Sequence, residues 1–220
     1  MDKNRSAYKL KGLPPVYCIN LDGEPERWLY METQFKYWEI ENYTRISAYD
    51  GREDDLSDII KGKYPDNMNS GEVGCVTSHL KAMKEFLKTD EPYAFIIEDD
   101  CDFDPVRYWS FTWRDIMSKI PYDFDVFQTA IINPGALFIK IHKRFVNDFS
   151  TASYVITRHH AEKLVSLHCR GDKYKLDQGS KPRAVADDLI YNSGNTYSMP
   201  LLLYKIEMGS SIHGLSLIHI

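Results

Sequence analysis

The sequence predicts an α/β fold with a mainly parallel central sheet flanked by helices. Short apolar runs alternate with amphipathic stretches along the whole chain, a pattern typical of this class. The run at 93–97 is apolar throughout, as expected of a strand buried on both faces. Acidic residues follow it directly, and open α/β sheets bind ligands at the carboxyl ends of their strands.

The first predicted unit is a strand at 16–21 followed by a helix. We expect the helix to begin at Pro25, because proline fits a first helical turn, where no backbone N–H is needed. Its apolar residues recur every three or four positions, which places one face in the core: Trp28, Met31, Phe35 and Trp38. A second strand is predicted at 44–48, and the pair Asp50-Gly51 ends it in a turn.

A second helix is predicted between a polar loop and the acidic strand. The loop covers residues 52–70, which are rich in Asp, Lys and Asn. Thr77 or Ser78 would cap the helix, and Pro92 would end it before the strand.

The second half of the chain continues the alternation. Strands are predicted at 124–127, 136–139, 152–156 and 201–204. A helix is expected to start at Thr157, with the pair His159-His160 on its exposed surface. We predict one domain over residues 1–214. Residues 215–220 resemble a translated sequencing adapter and are left out of the fold prediction.

The composition indicates a soluble, cytoplasmic protein. No apolar stretch approaches the roughly twenty residues of a membrane span, and the amino terminus lacks the apolar core of a signal peptide. The four cysteines show no metal-binding spacing, so we expect buried thiols in a reducing compartment. The net charge of −5 argues against nucleic acid as the main partner.

The carboxylates after the apolar strand predict a divalent metal site. Glu98 and Asp100 are two positions apart and would share a face of a strand. Carboxylates held this close repel each other unless a cation lies between them, and their hard oxygen atoms suit Mn²⁺ or Mg²⁺. Asp102 would support this site or lie in a solvated loop. The alternative for the whole cluster is a surface acidic turn that ends the strand.

Six sequence blocks, in this order, resemble those of glycosyltransferase family 25, the lipooligosaccharide and procollagen galactosyltransferase group. The blocks are YCINLD with ER at 17–27, RISAYDG at 45–51, GEVGCVTSHL at 71–80, IIEDD at 96–100, TASYVI with AEKL at 151–164, and ADDL at 186–189. The resemblance implies a GT-A type nucleotide-sugar fold and a metal-dependent, inverting hexosyltransferase. It also implies a UDP-galactose or UDP-glucose donor, and a glycan, lipooligosaccharide or hydroxylysine-type acceptor.

The resemblance further implies roles for single residues. The metal ligands would be Glu98, Asp100 and His213, since a late imidazole suits Mn²⁺. The donor would be contacted by Asn20, Arg27, Ser78, His79 and Asp99. Ser78 and His79 are expected at a helix amino end, where free N–H groups favour anions and hydroxyls.

Several of these residues have a structural alternative. Asn20 would form a turn, Arg27 would pair with Glu24, and His79 would cap or pack. His213 would be a frayed terminal residue.

The general base is predicted to be Asp188, or else Asp187. Inversion requires a carboxylate opposite the leaving diphosphate, hence on a different element from the metal ligands. Both residues follow the loop at 179–183 and precede an apolar stretch, which predicts a helix start at the rim of the cleft. The alternative is a helix cap with a favourable first-turn charge.

Two other functions fit the same residues. An acidic strand end with a divalent ion also suits a phosphohydrolase or nuclease, although such enzymes usually bring a second metal cluster, for which only Asp187 and Asp188 remain. A non-catalytic nucleotide-sugar-binding module is the third possibility.

Overall fold

A computed structural model describes residues 4–176 and 183–205, and the apolar runs of the sequence form a seven-stranded sheet in it. The strands of this sheet are β1 (Val16–Asn20), β2 (Tyr43–Ser47), β3 (Tyr93–Glu98), β5 (Val126–Gln128), β6 (His142–Lys143), β7 (Ser153–Thr157) and β10 (Thr196–Ser198). Two small sheets pair β4 (Cys101–Asp102) with β11 (Leu203–Tyr204) and β8 (Cys169–Arg170) with β9 (Lys173–Tyr174). The helices are α1 (Pro25–Tyr37), α2 (Ser70–Phe86), α3 (Trp113–Met117), α4 (Arg158–His168) and α5 (Ala186–Tyr191), with 3₁₀ turns at Ala7–Leu10, Leu56–Ile59 and Asp104–Tyr108.

The α/β prediction is confirmed, and the central sheet is mixed. Its strand order is β2-β1-β3-β7-β5-β10-β6. Strands β1, β2, β3, β5 and β10 run in one direction, whereas β6 and β7 run against them. The reversal of β7 next to β3 brings the start of one strand to the end of the other. The backbone N–H of Glu98 accordingly donates to the carbonyl oxygen of Ala152, at 2.9 Å.

Strand β3 is buried on both faces, as its apolar sequence predicts. Ala94 and Ile96 belong to the core on one side of the sheet, where α2, α4 and α5 pack. Phe95 and Ile97 belong to the core on the other side, where α1 and α3 pack. The acidic residues that follow are therefore anchored by a strand whose stability comes from both layers.

Helix α2 begins eight or nine residues earlier than the predicted cap at Thr77 or Ser78 implies. Asn69 and Glu72 form a capping box, in which each side chain accepts a hydrogen bond from the other residue's backbone N–H. This local start signal makes Ser70 the first helical residue. Thr77 and Ser78 are therefore internal to the helix, and their prediction as caps is wrong.

The strand predicted at 136–139 does not form. Its apolar side chains are largely exposed, with Ile139 at 81%, so they have no partner layer to pack against. The nearby strand is β6, at residues 142–143. This connection between β5 and β7 is held at its base by Gln128, whose side-chain N–H groups donate to the carbonyl oxygens of residues 148, 149 and 150 at 3.0–3.1 Å.

His160 is buried, contrary to the exposure expected for the pair His159-His160. Its Nε2 lies 3.0 Å from the carbonyl oxygen of Ile190. Gly194 makes room for the ring, because a Cβ there would lie 2.6 Å from Cε1 of His160. His159 is exposed as expected. The adapter-like end at 215–220 and the boundary at residue 214 lie outside the described residues.

Candidate active site

An open pocket of about 530 Å³ lies where β1, β3 and α2 meet. It is at the carboxyl ends of the two parallel strands, as the sheet rule predicts. The residues that line it include seven polar or charged side chains of these elements, of α1 and of the acidic turn: Asn20, Arg27, Cys75, Ser78, His79, Glu98 and Asp99. All five residues predicted from the sequence to contact the donor thus line one pocket.

Asp99 is fixed by a buried network with Arg27 and Asn20. The guanidinium of Arg27 donates to Oδ1 of Asp99 through Nε, at 2.8 Å, and through Nη2. Nδ2 of Asn20 donates to Oδ2 of the same carboxylate at 2.6 Å. Burial raises the pKa of Asp99, and the charge and hydrogen bonds of Arg27 oppose that rise. These contacts make Arg27 a support of the acidic turn, rather than the ion-pair partner of Glu24 that was the alternative.

Glu98 is held by residues from two other elements. Nε2 of His79, on α2, donates to Oε1 of Glu98 at 3.3 Å, and the hydroxyl of Thr151 donates to the same oxygen at 2.6 Å. Burial opposes ionisation, but His79 and Thr151 outweigh it and hold the pKa of Glu98 below its usual value. Nδ1 of His79 shares a 2.9 Å hydrogen bond with the hydroxyl of Tyr154. Glu98 is therefore an ionised carboxylate in a fixed orientation.

Asp100 is the least satisfied carboxylate of the motif. It follows the end of β3 in a turn, so it does not share a strand face with Glu98, contrary to the expectation. Its Oδ1 is buried and makes no hydrogen bond among the described residues, while Oδ2 lies 3.4 Å from Nη2 of Arg27. Burial and the charge of Glu98 raise the pKa of Asp100 to about 7. This is the environment of a carboxylate that a cation would stabilise.

The structure also places Cys75 close to His79 and Glu98. One potential ligand atom from each of these residues lies within 4.8 Å of the other two. The four-residue spacing of Cys75 and His79 puts both on one face of α2. That spacing is the signal for this group in the sequence, and Cys75 was not among the predicted site residues.

Ser78 and His79 do not lie at a helix amino end, contrary to the prediction. Both are buried inside α2. Oγ of Ser78 donates to the carbonyl oxygen of Gly74 at 2.6 Å and accepts from the backbone N–H of Tyr49 at 2.9 Å. Gly74 permits this approach, since a Cβ there would lie 2.6 Å from the carbonyl oxygen of Tyr49. Ser78 therefore holds the loop after β2 against α2, at the wall of the pocket.

A family model provides the comparison that identifies the chain. The model described as glycosyltransferase family 25 (LPS biosynthesis protein) matches residues 13–178. This match covers most of the chain, including β1, α2, β3 and β7. The chain belongs to glycosyltransferase family 25. It is thus a glycosyltransferase, which favours transfer over the phosphohydrolase, nuclease and non-catalytic alternatives.

Other comparisons add little for this family 25 enzyme. No curated protein matches the sequence. The solved structures with a similar arrangement include the crystal structure of A197 from STIV, which is 11% identical, covers 86% of this chain and 83% of its own, and has a TM-score of 0.43. Within residues 4–176 and 183–205, no helix has the length and apolar character to cross a membrane.

The two candidate bases of this glycosyltransferase differ in their surroundings. Both lie in the first turn of α5, as predicted. Oδ1 of Asp187 accepts a 2.8 Å hydrogen bond from the backbone N–H of Ser150, and Arg144 lies 3.9 Å away. Burial raises the pKa of Asp187 to about 6 against the charge of Arg144, and the charge of Glu98 adds to the rise. Asp188 instead accepts from the side chain of Asn192 at 2.9 Å.

Asp187 is thus close enough to Glu98 to sense its charge, although it lies on a different element. His213, the third proposed metal ligand, is outside the described residues.

Proposed function

We propose that this enzyme transfers a hexose from a UDP-sugar to a hydroxyl of a glycan acceptor, with inversion, on a GT-A type fold. The observation that carries the proposal is that the negative charges of Glu98 and Asp100, beside an open pocket, are only partly neutralised by neighbouring residues. A transferase that releases a nucleoside diphosphate needs positive charge at that point, because negative charge develops on the leaving group.

Glu98 and Asp100 would hold Mn²⁺ or Mg²⁺, and His213 is a further candidate ligand. Oδ1 of Asp100 is buried and has no hydrogen-bond partner among residues 4–176 and 183–205, which fits a cation. Both hydrogen bonds to Glu98 use Oε1, and no hydrogen bond among the described residues uses Oε2. When bound, the ion would neutralise charge on the diphosphate of the donor.

Residues around this pair would orient the donor. Arg27 lines the pocket and keeps the acidic turn in place through Asp99. Its positive charge, already fixed by that ion pair, would meet the diphosphate without a further ordering cost. His79, on α2, fixes the orientation of Glu98 through a hydrogen bond. Asn20 also lines the pocket, and its side-chain amide donates a hydrogen bond to Asp99.

Asp187 is the general base that we favour within the predicted pair. Its pKa of about 6 lies near neutral pH, where a base removes a proton efficiently and remains largely ionised. It lies on α5, a different element from the acidic turn, as expected of a base that acts opposite the leaving diphosphate. Asp188 remains the alternative base. The four free thiols support a reducing compartment such as the cytoplasm.

A melting-temperature screen tests donor and metal binding together. UDP, GDP and CMP, with their sugars, would be added with and without Mn²⁺. We expect the largest rise with a UDP-sugar and Mn²⁺ together, and no such rise in Asp100→Asn. A full Mn²⁺-dependent rise in that variant would contradict the metal assignment. Sugar appearing on an added glycan, rather than only free sugar, would separate transfer from hydrolysis.

A further inference from the structure

The group formed by Cys75, His79 and Glu98 offers a different set of donor atoms from the acidic pair. It supplies one sulfur, one imidazole nitrogen and one carboxylate oxygen, all within 4.8 Å of one another. Two come from adjacent turns of α2 and the third from the end of β3, so two well-packed elements fix their positions. Ligand atoms around a tetrahedral zinc ion lie about 3.5 Å apart, a spacing that side-chain movements of about 1 Å would reach.

The surroundings of these side chains are those of a supported metal site. Nδ1 of His79 contacts the hydroxyl of Tyr154, which is fully buried. A metal-bound histidine usually gives its other ring N–H to an oxygen atom, and this hydroxyl can accept as well as donate. Glu98 is likewise oriented by Thr151. All three ligand residues line the open pocket, which leaves space for a fourth ligand from solvent.

We propose that Cys75, His79 and Glu98 form a second cation site, selective for Zn²⁺ and chemically similar ions. A thiolate and an imidazole favour Zn²⁺ strongly over Mg²⁺ or Mn²⁺, which prefer oxygen ligands. Zn²⁺ would release the proton of the Cys75 thiol to solvent and take the place of the proton on Nε2 of His79. The neutral ring would then carry its proton on Nδ1 and donate it to the hydroxyl of Tyr154.

The two cation sites share Glu98, so they exclude each other. Zn²⁺ bound to Cys75 and His79 would draw Glu98 away from the ion that serves the donor. We therefore expect Zn²⁺ to inhibit transfer by competing with Mn²⁺. This consequence rests on the proposed function, whereas the binding of Zn²⁺ itself does not.

Cobalt binding tests the site without donor, acceptor or activity. Co²⁺ bound to a thiolate gives an intense near-ultraviolet absorption band, and Zn²⁺ displaces it from a shared site. The metal-free full chain would be titrated with Co²⁺ and then with Zn²⁺. We expect a thiolate band in the wild type that Zn²⁺ abolishes, and no band in Cys75→Ser. Cys169→Ser is the matched control, because Cys169 is also half-buried but lies at the end of α4.

The supporting hydrogen bond gives a second, conservative variant. Tyr154→Phe keeps the buried ring and removes only the hydroxyl that contacts His79. We expect this loss to weaken Zn²⁺ binding by about 10- to 100-fold. His79→Ala should abolish binding, whereas His159→Ala, at an exposed histidine of α4, should leave it unchanged. Circular dichroism would establish that each variant is folded.

The outcomes separate this proposal from the proposed function. A thiolate band that persists in Cys75→Ser, or Zn²⁺ affinity that survives His79→Ala, would overturn the zinc site. A UDP-sugar that fails to bind with Mn²⁺ would overturn the donor proposal and leave the cobalt result intact. If transfer is observed, the half-inhibitory Zn²⁺ concentration should rise in Cys75→Ser.

Discussion

Asp100 should destabilise the metal-free enzyme, because folding buries its carboxylate and the described part of the chain offers no hydrogen-bond partner to Oδ1. Its pKa rises from the ordinary 3.8 to about 7 in the folded chain. At about 1.4 kcal/mol for each tenfold change in the ionisation equilibrium, this rise corresponds to a free-energy cost of about 4 kcal/mol when the group is ionised. The side chain is only 16% exposed, so solvent screens little of this cost.

The sign of the effect fixes its pH dependence. Between pH 4 and pH 7 the folded state keeps the proton of Asp100 and the unfolded state does not. The free energy of unfolding therefore falls as pH rises through this window and becomes level above pH 7. Asp100→Asn removes this contribution, so the variant should be more stable than the wild type at pH 8 by up to about 4 kcal/mol. Mn²⁺ should cancel much of the difference by stabilising the wild type alone.

Urea unfolding at pH 5 and pH 8, in the presence of a chelator, measures this difference. We expect the stability gain of Asp100→Asn over the wild type to grow by about 3 kcal/mol between the two pH values. Asp104→Asn is the control, since Asp104 is exposed on the 3₁₀ turn that follows. A gain that is the same at both pH values, or a destabilised variant, would refute the reasoning about Asp100.

Three further predictions concern the rest of the site. Asp187→Asn should lower the steady-state rate of transfer by about 10²–10⁴-fold with donor binding retained, and Asp188→Asn should have little effect. If the larger loss occurs in Asp188→Asn instead, Asp188 is the base. Arg27→Met should lower the free energy of unfolding in urea by about 3 kcal/mol, because it leaves the buried carboxylate of Asp99 without its cation. Adding Asp99→Asn should recover most of that loss. A change within about 1 kcal/mol for Arg27→Met would argue against a structural role for this pair. Gly74→Ala should lower both the melting temperature and donor affinity, since its methyl group would push the neighbouring loop off α2; unchanged values would show that the loop adjusts freely.

The sequence predicts best what depends on local pattern. The position of β3 and its burial on both faces follow from its unbroken apolar run. The start of α2 was readable too, because Asn69 and Glu72 are a local capping signal, but the polar residues up to position 70 were predicted as a loop and the cap was placed at Thr77 or Ser78. Gly74, inside this helix, serves close packing, because a Cβ there would lie 2.6 Å from the carbonyl oxygen of Tyr49 in the loop after β2.

Contacts between distant parts of the chain could not be predicted in this way. Thr151 reaches Glu98 only because β7 lies antiparallel to β3, and no periodicity encodes the order of strands in a sheet. The same is true of the group of Cys75 and Glu98, which are 23 positions apart and meet where α2 crosses the sheet. The different surroundings of Asp187 and Asp188, adjacent in sequence, also depend on where α5 packs.

The parallel strands of the site and the connection that precedes the reversed strand β7 differ in how many substitutions they would tolerate. Glu98 and Asn20 end parallel strands whose connections are helices packed in the core, so few substitutions there would be tolerated. The chain reaches β7 through residues 131–150, a connection with an exposed tip that is tied to the sheet by Gln128. Residues 134–140, the exposed part of this connection, could be exchanged without disturbing the contacts of Arg144 and Ser150 with Asp187. A graft of residues 134–140 between family members should therefore leave the fold intact, and it would test whether this surface contributes to the choice of acceptor.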